Sequence, residues 1–306
     1  MNIAILGATG HIAKNLIYYF KDEPDFTMYL FTRSIERTTK FVNDIGMHNA
    51  IVNSYDEFYE SNYSGIINCV GIGDQNRLKE NPGEVFFVTE EIDLLVLSYL
   101  NKYPTTCYIN FSSGAIYGTE FSQPVQNSSV RYFAVNDISL SDYYGIAKIN
   151  AEAKHRALKN FNIIDLRIFG FYSPYIELDR PYLLSEVVRA LKSNQKFLTS
   201  SSNIVRDYIH PTDLFELVKL CLLQENLNTS FDVCSKKPVT KFDILEFFRI
   251  NFNFEYEIST DNNITSITGN KDNYFSESRK TMEICFEPKY SSLDCISDIT
   301  YKIIQQ

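Results

Sequence analysis

Tyr144 and Lys148 lie in the run Tyr143-Tyr144-Gly145-Ile146-Ala147-Lys148. On a helix, the i, i+4 spacing stacks a phenol and an ammonium on one face. A phenol whose pKa is about 10 is a poor base at neutral pH, and a neighbouring ammonium is expected to lower that value by favouring the phenolate. Such a tyrosine can exchange a proton with an alcohol oxygen while hydride moves at the carbon. Upstream, Phe111-Ser112-Ser113-Gly114-Ala115-Ile116-Tyr117-Gly118 follows the apolar run Cys107-Phe111. Its two hydroxyls leave the C-terminal end of a strand, where open α/β sheets bind ligands, so a serine there can hold the same oxygen. Ser112, Ser113, Gly114 and Tyr144 are the expected substrate contacts around this chemistry.

Hydride chemistry needs a donor or acceptor, and the start of the chain offers a place for one. Leu6-Gly7-Ala8-Thr9-Gly10-His11-Ile12-Ala13 sets two glycines and a small alanine at a strand-to-helix junction. Gly7 permits a tight turn, Gly10 lets backbone N–H groups approach a pyrophosphate, and Ala13 keeps the helix close to the sheet. Thr9, Gly10, His11 and Ile12 then face the phosphates at the helix N-terminus. Where a second strand ends, an acidic residue would bind an adenosine ribose, and here the sequence reads Thr32-Arg33-Ser34-Ile35-Glu36-Arg37. A neutral Thr32 followed by Arg33, Ser34 and Arg37 suits a 2′-phosphate, which favours NADP(H) and leaves NAD(H) as the other option. Val70 and Gly71, at the end of the Gly65-Val70 run, complete the expected cofactor contacts with Lys148.

The elements that position these groups follow from the hydrophobic pattern. Short apolar runs at Asn2-Leu6, Met28-Phe31, Gly65-Val70, Cys107-Phe111 and Ile163-Ile168 are buried-strand candidates. Between them lie helical patterns at His11-Phe20, Ile35-Asp44, Val85-Leu100 and Tyr143-Leu158. Alternation of this kind predicts an α/β fold, a Rossmann-type doubly wound parallel sheet. After Ile168 the pattern is less regular, with a helix over Leu183-Leu191, a strand over Ile204-Ile209, a helix over Thr212-Leu223 and a strand at Ser230-Val233. The expected division is a nucleotide domain over 1–168, rejoined by 204–234, and a smaller mixed α/β substrate lobe from 169–203 and 235–306.

The glycine turn, the serine segment and the Tyr-x-x-x-Lys pair, in this order, resemble the extended short-chain dehydrogenase/reductases. The resemblance is specifically to the NAD-dependent epimerase/dehydratase family, which acts on nucleotide sugars. It continues through Asn81-Pro82, Leu166-Arg167-Ile168-Phe169-Gly170-Phe171-Tyr172-Ser173-Pro174, Arg206-Asp207-Tyr208-Ile209-His210-Pro211-Thr212-Asp213 and Phe286-Glu287-Pro288-Lys289-Tyr290. The likeness implies that Ser113 is the catalytic hydroxyl, Tyr144 the acid/base, and Lys148 also a ligand of the nicotinamide ribose. It implies that Arg206 contacts the nucleotide-sugar phosphates. Thr89 and Gly170 stand where the family usually has asparagines, the first beside the nicotinamide and the second at the substrate.

The family's sugar 4,6-dehydratases carry acids directly after the catalytic hydroxyl, where this chain has Gly114 and Ala115. Neither can move a proton, so dehydration is not expected. What the resemblance then implies is NADPH-dependent reduction of an NDP-4-keto-6-deoxy sugar at C4, for a bacterial surface polysaccharide such as O-antigen. The alternative is C4 epimerisation through a transient 4-keto sugar with NAD retained, and a third reading is a dinucleotide sensor without turnover. The likeness also implies a homodimer in which Val85-Leu100 and Tyr143-Leu158 form a four-helix interface with their copies.

Composition sets outer bounds. In 306 residues, 38 acidic side chains outweigh 29 basic ones for a formal charge of -9, which argues against nucleic acid or anionic membrane as partners. Cys69, Cys107, Cys221, Cys234, Cys285 and Cys295 lack metal-like spacing and are expected as reduced core residues. His11, His48 and His155 show no ligand spacing, His210 is expected to be structural, and no metal is expected. Neither a signal peptide nor a membrane span is recognisable, so a cytoplasmic protein is expected.

Overall fold

A computed structural model describes residues 1–73, 75–259 and 271–305. The first part of the chain forms β1 (Asn2–Leu6), α1 (His11–Phe20), β2 (Thr27–Phe31), α2 (Ile35–Asp44), β3 (Ala50–Asn53) and β4 (Gly65–Asn68). Next come α3 (Gln75–Glu80), α4 (Glu84–Lys102), β5 (Cys107–Ser113), α5 (Leu140–Ala157) and β6 (Ile163–Ile168). The rest comprises α6 (Leu183–Lys192), β7 (Phe197–Thr199), β8 (Val205–Arg206), α7 (Pro211–Leu222), β9 (Asn228–Val233) and β10 (Val239–Thr240). It ends with α8 (Lys241–Phe252), β11 (Tyr256–Ile258), β12 (Asn273–Tyr274) and α9 (Ser292–Ile304).

Seven strands pair in parallel in the order β3-β2-β1-β4-β5-β6-β9, a Rossmann-like doubly wound sheet. Alternate residues of each strand serve opposite faces. Ile3 and Ile5 of β1 pack in one core with Leu16 and Ile17 of α1 and Leu214 and Leu217 of α7. Ala4 and Leu6 pack in the other with Ile92, Val96 and Leu100 of α4. Phe20, Phe31 and Phe231 are fully buried, each contributing about 1.5–3 kcal/mol by leaving water. Strand β3 is an addition to the strands expected from the sequence: it is an edge strand, only partly covered, and its apolar run is just Ala50-Ile51-Val52.

A third core, with Tyr172, Leu184, Val187, Leu245, Phe248, Ile296 and Ile299, belongs to the smaller lobe. There β8 pairs antiparallel with β10 and parallel with β12, while β11 pairs with β7. The expected Ile204-Ile209 strand is thus the short β8 in the small sheet, and it is α7 and β9 that join the large one. After β8, buried Asp207 leaves strand geometry to accept from Ser235 N at 3.1 Å and Ser292 Oγ at 3.0 Å. All six cysteines are unpaired, and Cys285 is exposed rather than part of a core. Among the described residues, no helix is long and apolar enough to cross a membrane.

The strand order reverses between β1 and β4, which opens a crevice at their C-terminal ends. Both the glycine turn and the serine segment leave strands at that end of the sheet.

Candidate active site

Gly7 has φ 76°, a left-handed conformation that favours glycine. A Cβ there would stand 3.0 Å from Val70 Cγ2 and 3.2 Å from the Cys69 carbonyl carbon. At Gly10, the N-cap of α1, a Cβ would come within 3.2 Å of Gly7 O. The N–H groups of His11, Ile12 and Ala13 have no acceptor within the helix and so offer donors to an anion. The N-cap residue, Gly10, has no side chain with which to cap them. His11 turns its ring away, with Nε2 2.8 Å from Ser173 Oγ, and burial pushes its pKa down to about 4. Its imidazole is therefore neutral and braces α1 against the chain leaving β6. Tyr55 closes the turn from the other side, its hydroxyl accepting from Gly7 N at 3.0 Å.

Thr32 follows β2 and is buried, with Oγ1 accepting from Ser34 N at 3.0 Å. Arg33 and Arg37 are exposed beside it, and no carboxylate occupies position 32.

Strand β5 continues past its apolar run to Ser113, so Ser112 and Ser113 point to opposite faces of the sheet. That geometry chooses between the two hydroxyls. Ser112 Oγ is buried and donates to Glu152 Oε1 at 2.6 Å, on the face away from Ser113. Ser113 Oγ accepts from Ala115 N at 3.2 Å, hydrogen-bonds the Tyr144 phenol and lies 3.4 Å from Tyr274 Oη. Tyr274 comes from β12 in the smaller lobe, and no motif in the sequence points to it.

Lys148 is buried on α5 and donates to Phe111 O at 2.8 Å. A Cβ on Gly71 would lie 3.5 Å from its Nζ, so the glycine keeps the space above the ammonium open. Burial lowers the Lys148 pKa, against the opposing pull of Asp165, Glu152 and Asp93. Its Nζ stands 6.0 Å from the centre of the Tyr144 ring. The expectation that this ammonium lowers the Tyr144 pKa is not met: burial dominates and raises it, with the Ser113 hydrogen bond opposing. The resting group is a protonated phenol, able to donate to an oxygen held at Ser113.

The turn after Ser113 is set by packing. A Cβ at Gly114 would come 2.5 Å from the Phe169 ring, so that ring fills the place of any side chain here. Arg131 braces the same turn, donating through Nη1 to Ala115 O at 2.9 Å and through Nη2 to Asp142 Oδ1 at 2.6 Å. Asp142 also completes a capping box with Ser139 at the start of α5. One guanidinium thereby ties the Ser113 turn to the helix that carries Tyr144. Below the turn, Arg167 joins Glu152 at 2.6 Å to the Tyr117 hydroxyl at 2.7 Å.

Deeper in the sheet, His155 is fully buried between two carboxylates, with Nδ1 2.9 Å from Asp165 and Nε2 2.7 Å from Asp93. Lys154 and Arg156 reach the same two carboxylates at 2.7 and 2.6 Å. Hydrogen bonds to these acids raise the His155 pKa to about 9 against the opposing effect of burial. His155 lies two helical turns beyond Lys148, so this cluster anchors the α5 face that positions the lysine.

Gly170 meets a packing need. A Cβ there would overlap Asp207 O and come 3.0 Å from the Tyr208 ring, while Ile209 N donates to Gly170 O at 3.2 Å. Glycine is required here by the close approach of two chain segments. Arg206 is buried and donates through Nη1 to Val205 O at 2.8 Å and Lys271 O at 2.6 Å. Its register partner across the small sheet is Tyr274, which brings it to the Ser113 side of the lobe. Thr89 lines a groove between α4 and α5 with Phe86, Phe87 and Ala147. Among the described residues, no cluster of His, Cys, Asp and Glu could hold a metal.

The fold and this arrangement define a class, the doubly wound dinucleotide-binding proteins with a Ser-Tyr-Lys set at the mouth of the sheet. The chain belongs to the NAD dependent epimerase/dehydratase family, whose model matches residues 3–234. Solved structures with the same fold include UDP-glucose 4-epimerase from Thermotoga maritima, at 15% identity and TM-score 0.80, covering 100% of this chain and 99% of that one. UDP-glucuronic acid 4-epimerase from Bacillus cereus aligns at 14% identity and TM-score 0.82, with 100% and 99% covered. A dTDP-glucose 4,6-dehydratase from Bacillus anthracis aligns at 17% identity and TM-score 0.76, with 100% and 97% covered. No curated protein sequence matches the chain significantly. The nicotinamide dinucleotide that the family implies suits the residues present. A Cβ at Gly7 or Gly10 would crowd the backbone of the turn, and Gly71 leaves room beside Lys148.

Proposed function

We propose that the protein is a nucleotide-sugar 4-epimerase that keeps its NAD bound through the catalytic cycle. The observation that carries this reading is the convergence of Ser113, Tyr144 and Lys148 beside a turn where Gly114 and Ala115 offer no acid. With no acid at the two positions after Ser113, chemistry at one carbon fits better than the elimination a dehydratase performs. The 4-epimerases from Thermotoga maritima and Bacillus cereus, alike in fold along the full chain, support epimerisation over net reduction.

A nicotinamide dinucleotide held between the glycine turn and Lys148 would supply the hydride acceptor and donor. Ser113 Oγ would hold the C4 oxygen. The Tyr144 phenol, protonated in the free protein, must first release its proton to solvent. As the phenolate it would take the C4 hydroxyl proton as the ketone forms and give it back to the opposite epimer, while Lys148 would fix the ribose end of the cofactor. The product is an activated sugar, a donor suited to polysaccharide assembly.

The test is direct. Purified protein is expected to release stoichiometric NAD(H) on denaturation and to interconvert a 4-epimeric pair of sugar nucleotides without added cofactor. Protein that carries no dinucleotide, and instead consumes NADPH with a 4-keto sugar nucleotide, would establish the second reading. That reading, a 4-ketoreductase, is favoured by one observation: neutral Thr32 flanked by exposed Arg33 and Arg37, a setting suited to a 2′-phosphate.

Phe87 and Leu94 lie on one face of α4, with 76% and 49% exposure, beside the α4/α5 groove. An exposed apolar stripe of this kind suits a helix interface with a second copy. Phe87→Asp is expected to shift the sedimentation coefficient from dimer to monomer, and a wild-type protein that already sediments as a monomer removes the idea.

A further inference from the structure

We infer that Lys271, packed on Tyr274, forms an anion subsite for the sugar and that the preferred substrate carries a carboxylate on its hexose ring. The inference rests on the reading of Ser113 as the group that holds the C4 oxygen. Lys271 precedes β12, the strand that brings Tyr274 Oη to 3.4 Å from Ser113 Oγ. Its Nζ sits 4.5 Å from the centre of the Tyr274 ring and 5.2 Å from that of Phe121. The ammonium is therefore one aromatic ring away from the serine.

No carboxylate among the described residues pairs with it. The two rings attract the cation without neutralising it. Arg206 and Arg131 face it with like charge, and burial together with those two guanidinium groups pushes its pKa down to about 8. Partial burial of an unpaired ammonium beside two further cations is unfavourable in the free protein, and an arriving oxyanion relieves that cost. A sugar nucleotide offers two oxyanions near the ring, the anomeric phosphate and a carboxylate where there is one. In a hexuronic acid the carboxylate is borne on the carbon adjacent to C4, whereas the anomeric phosphate stands across the ring. Proximity to Ser113 therefore favours the carboxylate.

The test is equilibrium binding of UDP-glucuronic acid, UDP-glucose and UDP, together with the thymidine diphosphate forms, to the full-length protein and to Lys271→Met. The variant is expected to bind the uronic acid nucleotide at least about tenfold more weakly, and the neutral sugar nucleotide and free nucleotide within about twofold of wild type. Lys271→Arg, which keeps the charge, is expected to recover most of the loss. Equal weakening of all three ligand types would put Lys271 on the diphosphate and overturn the subsite, as would no weakening or no recovery with arginine. A wild-type protein that binds none of the ligands overturns the reading of function itself. One that binds UDP-glucose or dTDP-glucose normally, yet shows no uronate effect in the variant, overturns only the subsite.

Discussion

Replacing Tyr144 with phenylalanine is expected to slow turnover by about 100- to 10,000-fold while bound dinucleotide stays in place. The ring would still pack on α5, and only the hydroxyl that hydrogen-bonds Ser113 would be lost. Lys148 would keep its hydrogen bond to Phe111 O, so the ribose side of the cofactor site would be undisturbed. Turnover with an epimeric pair of sugar nucleotides, alongside NAD(H) content after denaturation, checks both halves. A variant that retains full activity removes Tyr144 from the chemistry, and one that loses its dinucleotide makes it a folding or binding residue instead.

The second large effect concerns stability. His155→Ala is expected to destabilise the protein by about 3–5 kcal/mol, because it leaves two buried carboxylates without the cation between them. Asp93 and Asp165 are as buried as the histidine, and Lys154 and Arg156 reach them only from the rim. The folded pKa of His155, about 9, lies above its ordinary 6.5, so the charged ring favours the folded state. Its contribution is complete below pH 6.5 and is lost as pH rises through about 9. Urea unfolding at pH 6 and pH 10 checks the sign: the gap between wild type and variant is expected to be wide at the lower pH and narrow at the higher. A gap that does not change with pH would mean that the imidazole acts by packing alone.

Much of the frame was legible in the sequence because strands buried on both faces leave continuous apolar runs. Ile3, Ile5, Ile66, Ile67, Ile163 and Ile164 all became core, and the glycine turn sits where β1 hands over to α1. Edge strand β3 escaped because its apolar run, Ala50-Ile51-Val52, is so short. Within the site, the residue types were plain while their directions were not. Two adjacent serines look alike in a sequence, and only the length of β5 decides that Ser113 faces the crevice and Ser112 faces Glu152. The pKa of Tyr144 was misjudged for a similar reason: i, i+4 spacing gives proximity, but burial and the Phe111 carbonyl determine what the lysine does for the phenol. Tyr274, Lys271 and Arg131 carry no motif, since they arrive through lobe docking and loop closure between distant parts of the chain.

The contact between Phe169 and the Gly114 backbone constrains how this enzyme could diverge. An acid introduced at position 114 by a single codon change would collide with the ring, so the change that installs new proton chemistry would first be lost as a folding defect. A smaller residue at 169 would make room for the acid but leave a cavity beside Phe121, Val125 and Tyr274, so that step carries its own cost. An acid at position 114 therefore takes two substitutions, each of which costs stability when made alone.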